Sequence, residues 1–168
     1  IKLYEVSTSK QILSLEPNKL DLSIIRAPLI STKITSVLWF KDYYSLVYNN
    51  EVSKIENIQD LADFKKEIFV FFNKDYAPMY YNSLIEICSR FGFAPNIVHE
   101  SNNINSIIQL VRNGLGVSIV PRSVREKNDF PELSFLDIDT RFSTDVLLAT
   151  PINEHSEITK AALSFLLT

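Results

Sequence analysis

Cysteine, glycine and histidine are all scarce in this chain, and each shortage closes off a class of function. A single Cys, Cys88, cannot form an intramolecular disulfide, and within an apolar helical pattern it reads as a small core hydrophobe. That usage fits a reducing, cytoplasmic setting. The only glycines are Gly92, Gly114 and Gly116, so neither a Gly-x-Gly-x-x-Gly dinucleotide fingerprint nor a phosphate-binding P-loop can be drawn. His99 and His155 lie far apart without Cys or carboxylate partners at ligand spacing, which argues against a zinc site. No Gly-x-Ser-x-Gly elbow occurs, and the carboxylates form no recognisable catalytic pair. The expectation is a protein that catalyses nothing and uses no cofactor or metal.

A large excess of one charge and a long apolar run are missing as well. The net charge is −3, and Lys and Arg are scattered with no run longer than Lys65-Lys66, whereas nucleic-acid domains carry a clustered basic face. No stretch approaches the ~18 continuous apolar residues of a membrane span. What the chain does have is ordinary globular material. Hydrophobic residues make up 46% and charged residues 22% of its 168 positions, enough for a core without staples. It starts at Ile1, inside an apparent strand, with neither Met nor a signal peptide, and reads as a fragment of a longer protein.

Periodicity gives the order of elements. A strand over residues 1–6 leads to Ser7-Thr8-Ser9, preferred helix caps, and a short helix stopped by Pro17-Asn18. Strands follow over residues 20–25 and, singly or as two, over 34–48. Residues 53–66 read as a linker with one weak helical turn. The run Ile68-Phe69-Val70-Phe71-Phe72 has the pattern of a strand buried on both faces. Leu84, Ile87, Cys88 and Phe91 share one helical face, which Gly92 closes. A strand at 97–100 precedes a helix capped by Ser101-Asn102, bearing Ile104, Ile107, Ile108 and Val111, and ended by Gly114. Strands at 117–120, 133–138 and 145–150 follow, then a last helix with Ile158, Ala161, Ala162 and Phe165 on its covered side. Strands alternating with helices predict an α/β fold with a largely parallel sheet, and two such groups predict two lobes.

In open α/β sheets, ligands bind beyond the carboxyl ends of strands, against helix N-termini. Four places in the sequence fit: Ser7-Thr8-Ser9, residues 73–81, Glu100-Ser101-Asn102, and Arg26, whose guanidinium fork suits a carboxylate. Taken singly, each hydroxyl reads more simply as a helix cap, and Arg26 equally well as half of an ion pair. Their shared position at strand ends favours a cleft.

The segment Ile107 to Val124, Ile-Ile-Gln-Leu-Val-Arg-Asn-Gly-Leu-Gly-Val-Ser-Ile-Val-Pro-Arg-Ser-Val, resembles the signature of the LysR substrate-binding domain. Phe91-Gly92-Phe93-Ala94-Pro95, Leu20-Asp21-Leu22-Ser23-Ile24-Ile25 and residues 68–78 resemble other parts of that family, in its order and spacing. The resemblance implies two Rossmann-like lobes joined by crossover strands, of the periplasmic-binding-protein type II kind: lobe I over 1–66 plus 147–168, lobe II over 67–146. It implies a small-molecule effector, an organic anion, held between lobes by Thr8, Arg26, Pro78, Met79, Tyr80 and, more weakly, Ser101. The family's opening strand and helix would precede Ile1, and so would the winged helix-turn-helix through which such regulators bind DNA. The family further implies a homodimer or homotetramer, with residues 10–15 facing residues 84–91 of a partner. A solute-binding protein of the periplasmic type is the alternative, and an enzyme on the same fold a remote third.

Overall fold

The computed structural model describes residues 2–153 and 156–168; Ile1, the 154–155 pair and therefore His155 lie outside them. In chain order the elements are α1 (Thr8–Leu15), β1 (Ser23–Arg26), β2 (Ile34–Phe40), β3 (Tyr44–Asn49), β4 (Ile68–Phe72), α2 (Pro78–Arg90), β5 (Asn96–Ser101), α3 (Ile104–Arg112), β6 (Ser118–Pro121), β7 (Leu133–Asp137), β8 (Val146–Pro151) and α4 (Glu157–Leu166). They fall into two compact units, Ile1–Asp42 with Thr144–Thr168, and Tyr43–Ser143. Residues 43–66, read from sequence as part of lobe I, pack with the second unit because β3 is hydrogen-bonded to β6 and β7 there.

The first unit is a three-stranded sheet ordered β1-β8-β2, with both pairs antiparallel. Leu15, Ile25, Ile34 and Ala149 form its core, and Ile12 of α1 packs against them. Ser7, not Thr8, caps α1, its hydroxyl accepting from the Lys10 amide at 3.4 Å. The strand expected over residues 1–6 is not formed at residues 2–6. That segment has no hydrogen-bonded neighbour strand, and Leu3 is 92% exposed. The covered face of α4 also differs from expectation. Thr159 is buried and Ala162, Leu163 and Leu166 are half-buried, whereas Ile158 and Phe165 point to solvent. This helix carries apolar residues on two sides, so its periodicity alone does not choose the buried one. The choice is fixed locally, where the Trp39 indole N–H donates to the Leu166 carbonyl at 2.7 Å.

The second unit is built on two strands with no free face. Along β4, Phe69 and Phe71 enter one core with Leu84, Ile87 and Cys88 of α2, while Val70 enters another with Ile107, Ile108 and Val111 of α3. Strand period 2 sends alternate residues to opposite sides, and here both sides are apolar. β3 divides the same two cores, with Leu46 on one side and Val47 on the other. The sheet is less parallel than expected. β4 runs parallel to β5, and an isolated parallel bridge joins Phe69 to Val117, but β3–β6 and β3–β7 are antiparallel. The chain reaches β3 directly from the first unit, with no crossover helix to reset its direction. α3 begins later than expected: Asn103 caps it, accepting from the Asn105 amide at 2.8 Å.

Gly116 shows how tightly β4 is held. It has φ +144°, and a Cβ there would stand 2.5 Å from the Ile68 carbonyl oxygen. That same oxygen accepts from the Val117 amide at 2.8 Å. Gly116→Ala is expected to destabilise the domain by about 3 kcal/mol, combining a strained φ with overpacking. Urea unfolding measures it, and a variant as stable as the parent would contradict this account of the turn.

Candidate functional site

The carboxyl ends of β4 and β5 lie side by side because the two strands are parallel, with Phe72 paired to Ser101. The Asn73 amide donates to the Ser101 carbonyl at 3.0 Å, and the Asn73 side chain donates to Glu100 at 2.7 Å. Asn73 also turns the chain, its side-chain oxygen accepting from the amides of Asp75 and Tyr76, both at 3.1 Å. This Asx turn delivers α2, which starts at Pro78. Proline at the first helical position supplies the right φ and gives up an N–H that would have no partner within the helix. No side chain caps α2, in contrast to α1 and α3.

Of the residues expected on sequence to bind a ligand, four belong to this second-unit arrangement. Pro78 and half-exposed Met79 form the first turn of α2. The Tyr80 ring lies against Phe72 at 5.2 Å and Tyr44 at 6.0 Å between centroids. Ser101 ends β5, and its hydroxyl accepts from the Asn103 amide at 3.2 Å, a local turn and not the expected helix cap. Asn73 and Glu100 were passed over as specific contacts. Their pairing is invisible in sequence, since they stand 27 positions apart.

The other two residues belong to the first unit. Thr8 is the first residue of α1, half-buried behind the Ser7 cap. Arg26 ends β1 and is engaged internally. Its Nη1 donates to Asp42 Oδ2 at 3.2 Å, to the Thr144 carbonyl at 2.9 Å and to the Thr144 hydroxyl at 3.4 Å. Asp42 and Thr144 are both buried. The ion-pair reading of Arg26 therefore holds, while every one of these bonds uses Nη1 alone. Neither partner carried a sequence signal, being 16 and 118 positions away.

A separate open groove of about 690 Å³ lies along α2 in the second unit, lined by Ser83, Glu86, Arg90, Arg141 and Phe142. None of the expected ligand residues borders it. Its arginines are already committed, Arg90 to Glu86 and Arg141 to Asp139. Arg141 holds the Asp139 carboxyl below the usual carboxylate range through hydrogen bonds and charge. Among the described residues no cluster of His, Cys, Asp and Glu could hold a metal, and no helix is long and apolar enough to cross a membrane.

Two α/β units joined by two chain passages have the architecture of the periplasmic-binding-protein type. The model of the LysR substrate binding domain matches residues 1–168, and the chain belongs to that family. The chain is similar to the HTH-type transcriptional regulator AlsR of Bacillus subtilis (strain 168), 30% identical over 134 residues, covering 75% of this chain and 42% of AlsR. It is similar also to the HTH-type transcriptional regulator CatR of Pseudomonas putida, 23% identical over 137 residues, covering 80% and 47%. The chain thus matches less than half the length of either relative. Among solved structures, the BenM effector binding domain with its effector benzoate aligns with TM-score 0.80 at 22% identity, covering 99% of this chain and 76% of that one. Full-length CbnR complexed with its target DNA aligns with TM-score 0.82 at 18% identity, covering 98% and 58%. These structural likenesses establish the fold, which is the one those proteins share.

Nucleophilic chemistry has no foothold at the one thiol. Cys88 is fully buried in the α2 core, and desolvation pushes its thiol up to about 12. At pH 8 the folded domain should leave an aromatic disulfide reagent unconsumed over minutes, while the urea-unfolded chain should consume one equivalent at once. Rapid reaction of the folded domain would show that α2 opens.

Proposed function

We propose that this domain is the small-molecule sensor of a LysR-family transcription regulator, that it catalyses nothing, and that it takes an organic anion as effector. The observation that carries this reading is the uncapped start of α2 beside the paired ends of β4 and β5. The helix dipole at such a position favours negative charge. Met79 would offer its amide, Tyr80 an aromatic wall, and Ser101 a hydroxyl. Pro78 sets the direction of entry. Thr8 and the Arg26 guanidinium, in the first unit, are further candidates for contact with a carboxylate.

In the whole protein the domain would work in the cytoplasm, within a homodimer or homotetramer. DNA would be contacted by another part of a longer chain, since this sequence has an acidic balance and no basic run longer than Lys65-Lys66. The effector would act through its different affinity for alternative states of the domain, because a ligand with equal affinity for both shifts nothing.

A melting-temperature screen against small carboxylates, benzoate among them, tests the reading. A ligand at one hundred times its Kd adds about 2.7 kcal/mol, which for this size raises Tm by about 5–11 °C. Screening amino acids and neutral sugars alongside should leave Tm unchanged, and a neutral compound as the sole hit would refute the anion class. With the anion in hand, Arg26→Ala should weaken binding about tenfold or more, as expected for a lost charge-assisted bond. Asp42→Asn keeps the guanidinium and should bind within a few-fold of the parent. Equal loss in both variants would take Arg26 out of the site.

A further inference from the structure

The chain changes unit twice, between Asp42 and Tyr43 on the way out and between Ser143 and Thr144 on the way back. The Arg26 side chain reaches the last residue before the first passage and the first residue after the second. We propose that Arg26 is a strap binding the two passages to each other, so that neither can shift without the other. Three observations carry it. One guanidinium nitrogen bonds both Asp42 and Thr144, residues 102 positions apart in sequence but buried at 4% and 2% exposure. The backbone repeats the link, with the Thr144 amide donating to the Asp42 carbonyl at 2.8 Å. The residue after the arginine is tied to the same place, the Ala27 amide donating to the Asp145 carbonyl at 2.9 Å.

Geometry explains why an arginine stands here. A carboxylate as buried as Asp42 needs a cation and hydrogen-bond donors to offset its lost hydration. A guanidinium supplies fixed donors that can serve a carboxylate and a carbonyl at once, whereas a lysine ammonium is a point charge on a flexible stem. β1 fixes the base of the side chain, because Arg26 is paired in register with Val146 of β8, two residues past Thr144. The strap is thus anchored in the first unit's sheet and grips the chain where it leaves and returns. This inference stands independently of the effector reading, since it requires no ligand.

Amide hydrogen exchange on the intact domain, compared between the parent and Arg26→Ala, is the test. Loss of charge-assisted bonds should speed exchange at the Thr144 and Ala27 amides roughly ten- to a hundredfold. The Val70 and Val117 amides, bonded across the second unit at 2.8 Å each, serve as the control and should keep their rates. Arg26→Lys should fall between parent and alanine variant, which a purely space-filling role would not produce. Should Arg26→Ala fail to fold, Asp42→Asn removes the charge from the same link, and the same two amides should exchange faster. Unchanged exchange at Thr144 and Ala27, or an equal rise at all four amides, would overturn the strap.

Discussion

Strand β4 has no solvent face, and most of the second unit follows from that. Phe69 and Phe71 are packed under α2, Val70 under α3, and all three are completely buried. A strand so placed cannot slip by one residue, because the slip would put Val70 in place of two phenylalanines in one core and two phenylalanines in place of Val70 in the other. Its register with β5 then determines where both strands end. The turn at Asn73, the entry of α2 at Pro78 and the position of Ser101 are consequences of that shared end. Gly116 belongs to the same constraint, since the return strand can approach the Ile68 carbonyl only without a side chain.

The first unit rests on less apolar material and more on directed bonds. Among the described residues its core cluster is small, Leu15, Ile25, Ile34 and Ala149 with partly buried neighbours. The Trp39–Leu166 bond docks the last helix, and Arg26 gathers Asp42 and Thr144 at the passages. Local opening is favoured where buried apolar contact is sparse and polar links carry the structure. In a sensor, that is where a change of state would be spent.

Much of the second unit was legible in sequence because its periodicities are unambiguous. The run at 68–72 and the faces Leu84-Ile87-Cys88 and Ile107-Ile108-Val111 are buried as their spacing requires. Gly92 and Gly114 have the positive φ of helix ends. The family signature from Ile107 to Val124 fell on α3, Gly116 and β6, whose chemistry is local. What could not be read was decided by partners distant in sequence. Residues 2–6 have the alternation of a strand, yet no neighbouring strand pairs with them. α4 has two apolar sides, and the sheet picks one. Residues 43–66 looked like the tail of one lobe, but β3 is claimed by β6 and β7. Arg26 is the sharpest case: its residue type announced a carboxylate, and the carboxylate it meets is the protein's own Asp42.

The central claim is that an organic anion is sensed at the carboxyl ends of β4 and β5. The most direct measurement is an amide NMR titration of the isotopically labelled domain with whichever small carboxylate binds it. The account predicts saturable shifts at the Met79, Tyr80 and Ser101 amides, all with one Kd. Shifts confined to the α2 groove at Ser83, Arg90 and Phe142, with those three positions silent, would contradict it.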